Sequence, residues 1–437
     1  MAQIYPFRAL RYNPAMVRVS DVVTQPYDKI TPEMQEHYYR ASDYNLVRLI
    51  LGKQEPTDDE RRNVYTRAAS YLHHWRSQQV LIFDDQPALF AYSQEFLLPG
   101  TETLVERRGF IGLGKIHDYE EGVVYRHEHT LSKPKSDRLN LLRATRTHFG
   151  QIFMLYSDPA QTAENLLFGK NSQPTTEIID EYGVLHRMWK IDDPETIEAV
   201  SSAMADKKLI IADGHHRYET ALNYRNERGS KNSAGASSAM VPPFPEAAVM
   251  MTFVNMDSPN LAILPTHRVI FGLGGIKAEE FALRCMPFFH VGPVPHADVP
   301  VLLNKLNESR SQHVFAAVFP ETAMLLTTKP AAIEHGLPNI SQRQKQLDVV
   351  QLHQIVLGYL LKISPEAILE QRNIRYLRDA EEAAGEVRAG KANVAFLMNP
   401  VRLEQMRDIA FAGEVMPQKS TDFYPKLLSG LAAYALE

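Results

Sequence analysis

The chain has 437 residues, 44% of them hydrophobic and 23% charged, with a formal net charge of −5. That length holds two or three domains with their own cores, and the composition is that of an ordinary globular protein. The acidic balance argues against a general nucleic-acid binder, the single Cys285 excludes an internal disulfide or a cysteine-built metal cluster, and no run reaches the roughly 18 apolar residues of a membrane span. The opening residues carry no apolar signal core, so a cytoplasmic protein is expected.

Residues 1–190 are expected to form an N-terminal α+β region. Val22-Val23 is strand-like, and Pro26 keeps Gln25 extended, making a rigid turn that presents Tyr27 and Asp28. Residues 45–52 have the look of a strand closed by Gly52. Residues 57–78 form a helical pattern that turns Val64, Ala68, Tyr71, Leu72 and Trp75 inward. Residues 81–83, 88–96 and 108–116 are expected as antiparallel strands. The segment His127-Glu128-His129-Thr130, followed by Lys133, Lys135 and Arg138, combines a carboxylate, a hydroxyl and several cations. If it is extended, His127 and His129 face one way and Glu128 the other. The groups suit recognition of a charged substrate or phosphate, although a solvated loop has the same composition. A metal held by His127, His129 and His117 is a third reading, against which stands the absence of an HExxH-type spacing. A helix over 139–149 and a buried strand over 152–156 follow.

Residues 191–272 are expected as the phosphate-binding core. Asp193 and Pro194 start a helix as cap and first residue, and Ile197, Val200 and Met204 share one face. Four apolar residues, 209–212, then make a buried strand. Asp213-Gly214 is a turn, and a helix begins at about His215. A strand that passes through glycine into a helix N-terminus directs backbone N–H groups and the positive end of the dipole at one point, an anion site. His215, His216 and Arg217 add side-chain donors there. Residues 227–245, rich in Gly, Ser, Ala, Asn and Pro, suit a lid over that site or a plain disordered insertion. A strand over 247–256 follows, and then Thr266, His267 and Arg268 offer polar groups beyond it.

From 273 to 437 a C-terminal α/β region is expected, with helices over 277–286, 301–310 and 347–357, strands over 314–319 and 323–327, and a strand that ends in 394–400. Cys285 and His353 read as core residues. The proline-bounded segment 414–426 carries Lys419, Ser420, Thr421 and Lys426, a second anion-contacting arm.

The turn Asp213-Gly214-His215-His216-Arg217 is similar to the nucleotide-phosphate motif of the ParB/sulfiredoxin superfamily, which includes free-serine kinases. Phe7-Arg8-Ala9, residues 24–28, 127–130 and 213–217, and Met416-Pro417-Gln418-Lys419-Ser420-Thr421 together resemble the bacterial and archaeal family called domain of unknown function 1015. Gln418 stands where that pattern has proline. The resemblance implies an α/β fold of mixed sheets with a ParB/sulfiredoxin-like core over about 190–270. It also implies a nucleotide-dependent phosphotransferase acting on a small metabolite hydroxyl, with free serine the first acceptor to test and ATP or ADP the donor.

In that reading Asp213, Glu128 and His216 are catalytic, with Asp213 also the Mg²⁺ ligand. Gly214, His215, His216, Arg217, Lys133, Arg138, Lys419 and Ser420 bind nucleotide or phosphate. Tyr27, Asp28, Thr130, Thr266, His267 and Arg268 contact substrate. The clusters near 130, 215 and 420 are then expected to converge on one cleft. Partners are the nucleotide and a small molecule, with no nucleic acid or membrane, and a homodimer is a candidate assembly. The alternative is a nucleotide-binding regulator of the ParB-like class without kinase activity.

Overall fold

The computed structural model describes residues 1–128, 132–169, 173–229, 240–295 and 298–437. The fold is mixed α/β, built as two compact units. One comprises Met1–Arg126, Leu131–Ala262 and Pro425–Glu437, the other His127–Thr130 and Ile263–Tyr424. Division into three regions at 190 and 272 therefore differs from the observed packing. The 190 boundary has no counterpart, because strands from both sides of it share one sheet.

That sheet runs in the order Val124–Tyr125, Leu209–Asp213, Ile152–Tyr156, Ala248–Asn255, Leu104–Lys115, Leu89–Leu97, Leu185–Ile191 and Thr176–Ile179. Ile4–Tyr5 continues along Leu104–Lys115. Most pairs are antiparallel. Val124–Tyr125 runs parallel to Leu209–Asp213, and Ile152–Tyr156 parallel to Ala248–Asn255. The central strands are apolar on both faces, as strands covered on two sides must be. Helix Pro194–Met204 covers part of the sheet. Asp193 Oδ2 accepts from the Thr196 amide at 3.1 Å to cap it, and Ile197, Val200 and Met204 are buried, at about 1.5–3 kcal/mol for each side chain removed from water. Helix His215–Gly229 adds Tyr218 and Ala221 to the same core.

Two local expectations are corrected. Residues 45–52 contain a short helix, Val47–Ile50, not a strand: Asn45 Oδ1 accepts from the Val47 amide at 2.9 Å and starts a turn. Brief apolar runs carry no period of their own to tell helix from strand. The helix expected from 139 begins at Ser132, so Arg138 lies on a helix and not in an extended loop.

The second unit holds a six-stranded antiparallel sheet in the order Phe289–Pro295, Thr322–Thr328, Val314–Val318, Val394–Met398, His267–Ile270 and Ile374–Leu377. Helices Val299–Glu308 and Ala380–Arg388 pack on the face that carries Val314, Ala316 and Val318. Phe281, Phe289, Phe315 and Phe396 form edge-on and tilted ring contacts, and Cys285 is fully buried. The helix expected over 347–357 is α-helical only for Asp348–Gln351 and continues as a π-helix, Leu352–Leu360.

Candidate functional site

In the first unit the strand Leu209–Asp213 loses register against Ile152–Tyr156 between Ile211 and Asp213, which leaves Ala212 as an extra residue. Such bulges bend a strand and re-aim its end. Gly214 then takes φ +94°, a conformation other residues resist, and the 15-residue helix begins at His215. Its first backbone bond joins the Tyr218 amide to the Gly214 carbonyl at 2.9 Å, so the amides of His215, His216 and Arg217 precede the ladder.

Asp213 sits between two cations. Arg217 Nη2 donates to its Oδ2 at 2.9 Å, and Lys426 Nζ lies 3.8 Å from Oδ1. Arg217 Nη1 also donates to the Gln151 carbonyl, which fixes the guanidinium across the turn. The helix is anchored from behind, where the Tyr218 hydroxyl donates to the His117 carbonyl at 2.7 Å. Arg217, Arg138 and Tyr27 line one cleft with Gly150, Thr220 and Ser429. Arg138 lies 4.1 Å from the centre of the Tyr27 ring, a cation–π contact, and donates from Nε to Asp137 Oδ2 at 2.8 Å. Burial, with Asp28 adding to it, pushes the Tyr27 phenol up to about 12, so it stays a neutral donor at physiological pH. Asp28 itself is exposed. The space enclosed in the cleft is about 60 Å³, well under the roughly 300–1,000 Å³ of a small-molecule pocket.

Glu128, Lys419, Ser420, Thr266, His267 and Arg268 belong to the second unit and form an assembly of their own. Glu128 Oε1 accepts from the Ser420 amide at 2.9 Å, the Thr421 amide at 3.0 Å and the Thr421 hydroxyl at 3.1 Å. With that hydroxyl proton given to Glu128, His127 Nε2, 2.8 Å away, donates to the Thr421 oxygen. Arg268 is buried and holds the same arm from the sheet: Nη2 donates to the Lys419 carbonyl at 3.0 Å and Nη1 to the Thr266 carbonyl. Burial lowers its guanidinium to about 10, still charged at neutral pH. His267 Nδ1 accepts from the Met398 amide at 3.2 Å, and burial pushes this imidazole down to about 4. Lys419 has φ +56° and is exposed, while the Ser420 hydroxyl donates to the Pro417 carbonyl at 2.6 Å. Glu128, Arg268 and His267 are thus deep in the framework that shapes the arm.

Thr130 and His129 lie outside the described residues, as does most of the 227–245 segment, and the side chain of Lys133 is likewise outside them. Among the described residues no cluster of three or more His, Cys, Asp or Glu is placed to hold a metal ion, and no helix is long and apolar enough to cross a membrane. The segment 414–426, expected as one arm, divides: Lys419 and Ser420 stay in the second unit, and Lys426 reaches Asp213 in the first. Gln151, whose carbonyl takes Arg217, had no signal in the sequence, because a backbone acceptor has no residue type.

The family described as Protein of unknown function (DUF1015) matches residues 4–350. The chain belongs to this family. None of the curated proteins matches it. It is similar to a solved free serine kinase in complex with AMP, at 12% identity over 72% of this chain and 88% of that one, with a TM-score of 0.36. A conserved hypothetical protein from Pyrococcus furiosus is similar at 12% identity over 71% and 91%, TM-score 0.34. SbnI from Staphylococcus aureus, with a C-terminal truncation, is similar at 9% over 73% and 85%, TM-score 0.34.

Proposed function

We propose that the protein is a nucleotide-dependent phosphotransferase acting on a hydroxyl of a small metabolite, with ATP or ADP as donor and free serine as the first acceptor to test. The observation that carries the reading is the convergence of Arg217 and Lys426 on Asp213 where the strand turns through Gly214 into a helix N-terminus. Phosphoryl transfer is catalysed mainly by positioning and by donors around the transferred group. Arg217, Lys426 and the first-turn amides supply those donors beside the one carboxylate. Arg138, in the same cleft as Arg217, extends the cationic lining, and the Tyr27 hydroxyl is a neutral donor to an acceptor substrate.

The donor set fits a nucleotide phosphate. It fits Mg²⁺ only as a shared ion, because Mg²⁺ is held by one or two carboxylates completed by substrate phosphates and water. Asp213 would be the protein ligand, and the ion would neutralise charge on the transferring group. His216, in the first turn of that helix, would offer its backbone amide to the phosphate. The alternative reading is a nucleotide-binding regulator without kinase activity.

Calorimetry of ATP, ADP and CTP with and without Mg²⁺, followed by ³¹P NMR of incubations with serine and other small alcohols, tests the proposal and separates the two readings. Arg217→Ala should weaken nucleotide binding by about 1.5–3 kcal/mol, the range for hydrogen bonds to charged groups. Asp213→Asn should keep nucleotide binding and lose most transfer, by about 10²-fold or more. Unchanged nucleotide affinity in folded Arg217→Ala removes the turn as the phosphate site. Nucleotide binding without any phosphorylated product would leave the regulator reading.

A further inference from the structure

The second unit contains a pocket of about 380 Å³, several times the space in the cleft beside Arg217. Its walls are apolar, from Ile340, Val350, Ile363, Ile368 and Leu369. Its polar groups are all neutral: Gln344, Gln354, His353 and Gln418. Among the described residues no Asp, Glu, Lys or Arg lines it. A charged ligand would have to shed its hydration there without an ionic partner, which is costly. All the lining residues except Ile340, Gln344 and Val350 lie beyond residue 350, outside the family match.

Two polar groups in this wall lack hydrogen-bond partners. His353 is 7% exposed, and its Nε2 is buried with no partner; Gln418 Nε2 is in the same condition. Expected from its apolar helical setting to be an ordinary core histidine, His353 instead keeps an unused ring nitrogen. Burial, with the charge of Arg268 adding to it, pushes the imidazole down to about 3, so it presents one donor and one acceptor nitrogen and no charge. Buried groups of this kind are normally satisfied, and a ligand that paired with them would remove their desolvation cost.

The backbone makes room for such a ligand. Leu352–Leu360 is wound as a π-helix, closed by the Leu361 amide on the Val356 carbonyl at 2.8 Å. Bonding from i to i+5 sets residues 353 and 358 on one side of a widened turn, and π-turns are rare and frequently sit at functional sites. Gly358 lines the pocket there, where a Cβ would lie 3.3 Å from the His353 carbonyl oxygen. The opposite wall is Val415, Pro417 and Gln418, the start of the arm that Glu128 and Arg268 hold.

We propose that this pocket binds an uncharged small molecule with an apolar body and an amide- or carbonyl-type group, paired with the His353 imidazole and the Gln418 carboxamide. The pocket is built from residues of the second unit alone, and the proposal does not depend on the phosphotransferase reading.

Benzamide and benzoate, equal in shape and different in charge, are the probes, titrated into the full chain by ligand-observed NMR and calorimetry. Saturable benzamide binding is expected, with benzoate about tenfold weaker or more, since no cation lines the wall. Gln418→Leu should weaken benzamide about three- to tenfold through the lost hydrogen bond. Leu369→Trp, at a rim position that is 44% exposed and so outside the core, should abolish binding by filling the pocket. Absence of saturable benzamide binding, equal affinity for benzoate, or undiminished binding in either folded variant would overturn the proposal.

Discussion

Glu128 gives the sharpest test of how the second unit is held together. Its Oε1 collects three donors from Ser420 and Thr421, with the carboxylate side chain only 15% exposed. Hydrogen bonds to a charged acceptor contribute about 1.5–3 kcal/mol each, but three that share one oxygen do not add fully. Glu128→Ala removes the acceptor from all three, and about 3–4 kcal/mol is expected. For a unit of this size each kcal/mol moves Tm by about 2–4 °C, so its transition should fall by about 6–16 °C. Glu128→Gln keeps a carbonyl oxygen in the same place and loses only the charge, and about 1–2 kcal/mol is expected. Calorimetry measures the loss, and hydrogen exchange at the Ser420 and Thr421 amides localises it, with faster exchange in Ala than in Gln. Unchanged exchange at both amides in Glu128→Ala would refute the role given to this carboxylate. A large stability loss in Ala with normal stability in Gln would show that geometry, and not charge, holds the arm.

Gly214→Ala should destabilise the first unit by about 1–2 kcal/mol, because φ +94° disfavours a Cβ and that atom would lie 3.1 Å from the Arg217 guanidinium carbon; denaturant unfolding measures it, and wild-type stability would sink the idea. His313 donates to Asp348 across 2.9 Å, a bond that raises its pKa above the ordinary histidine value. Its contribution is therefore complete below about pH 6.5 and lost as pH rises through the raised value, a slope that His313→Leu should flatten in Tm-against-pH curves. His267 has the opposite sign: held neutral down to about 4, it contributes above about pH 6.5 and loses that contribution as pH falls toward 4. His267→Asn, which retains an acceptor for the Met398 amide, should reduce the acid loss of stability.

What the sequence determined by itself was local. Asp193 and Pro194 start a helix, Ile197, Val200 and Met204 fall on its buried face, and the Asp213-Gly214 pair marks a strand-to-helix turn, because caps, helical period and glycine conformation act over a few neighbouring residues. The failures nearby have the same cause. Residues 47–50 are apolar over too short a stretch to reveal a period, and the π-turn after Gln351 is invisible to a pattern that assumes α-helical spacing.

Only the tertiary structure decided which distant groups meet. Lys426 reaches Asp213, Glu128 receives Ser420 and Thr421, and Arg217 finds the Gln151 carbonyl, all through chain topology that carries no mark in the residues between. Strands from both sides of residue 190 join one sheet because backbone pairing rewards any extended segment that completes the edge, whatever its distance along the chain. Residue types therefore announced a strand-to-helix turn through glycine, while the second cation on its carboxylate and the uncharged pocket near His353 exist only where the fold brings separate segments together.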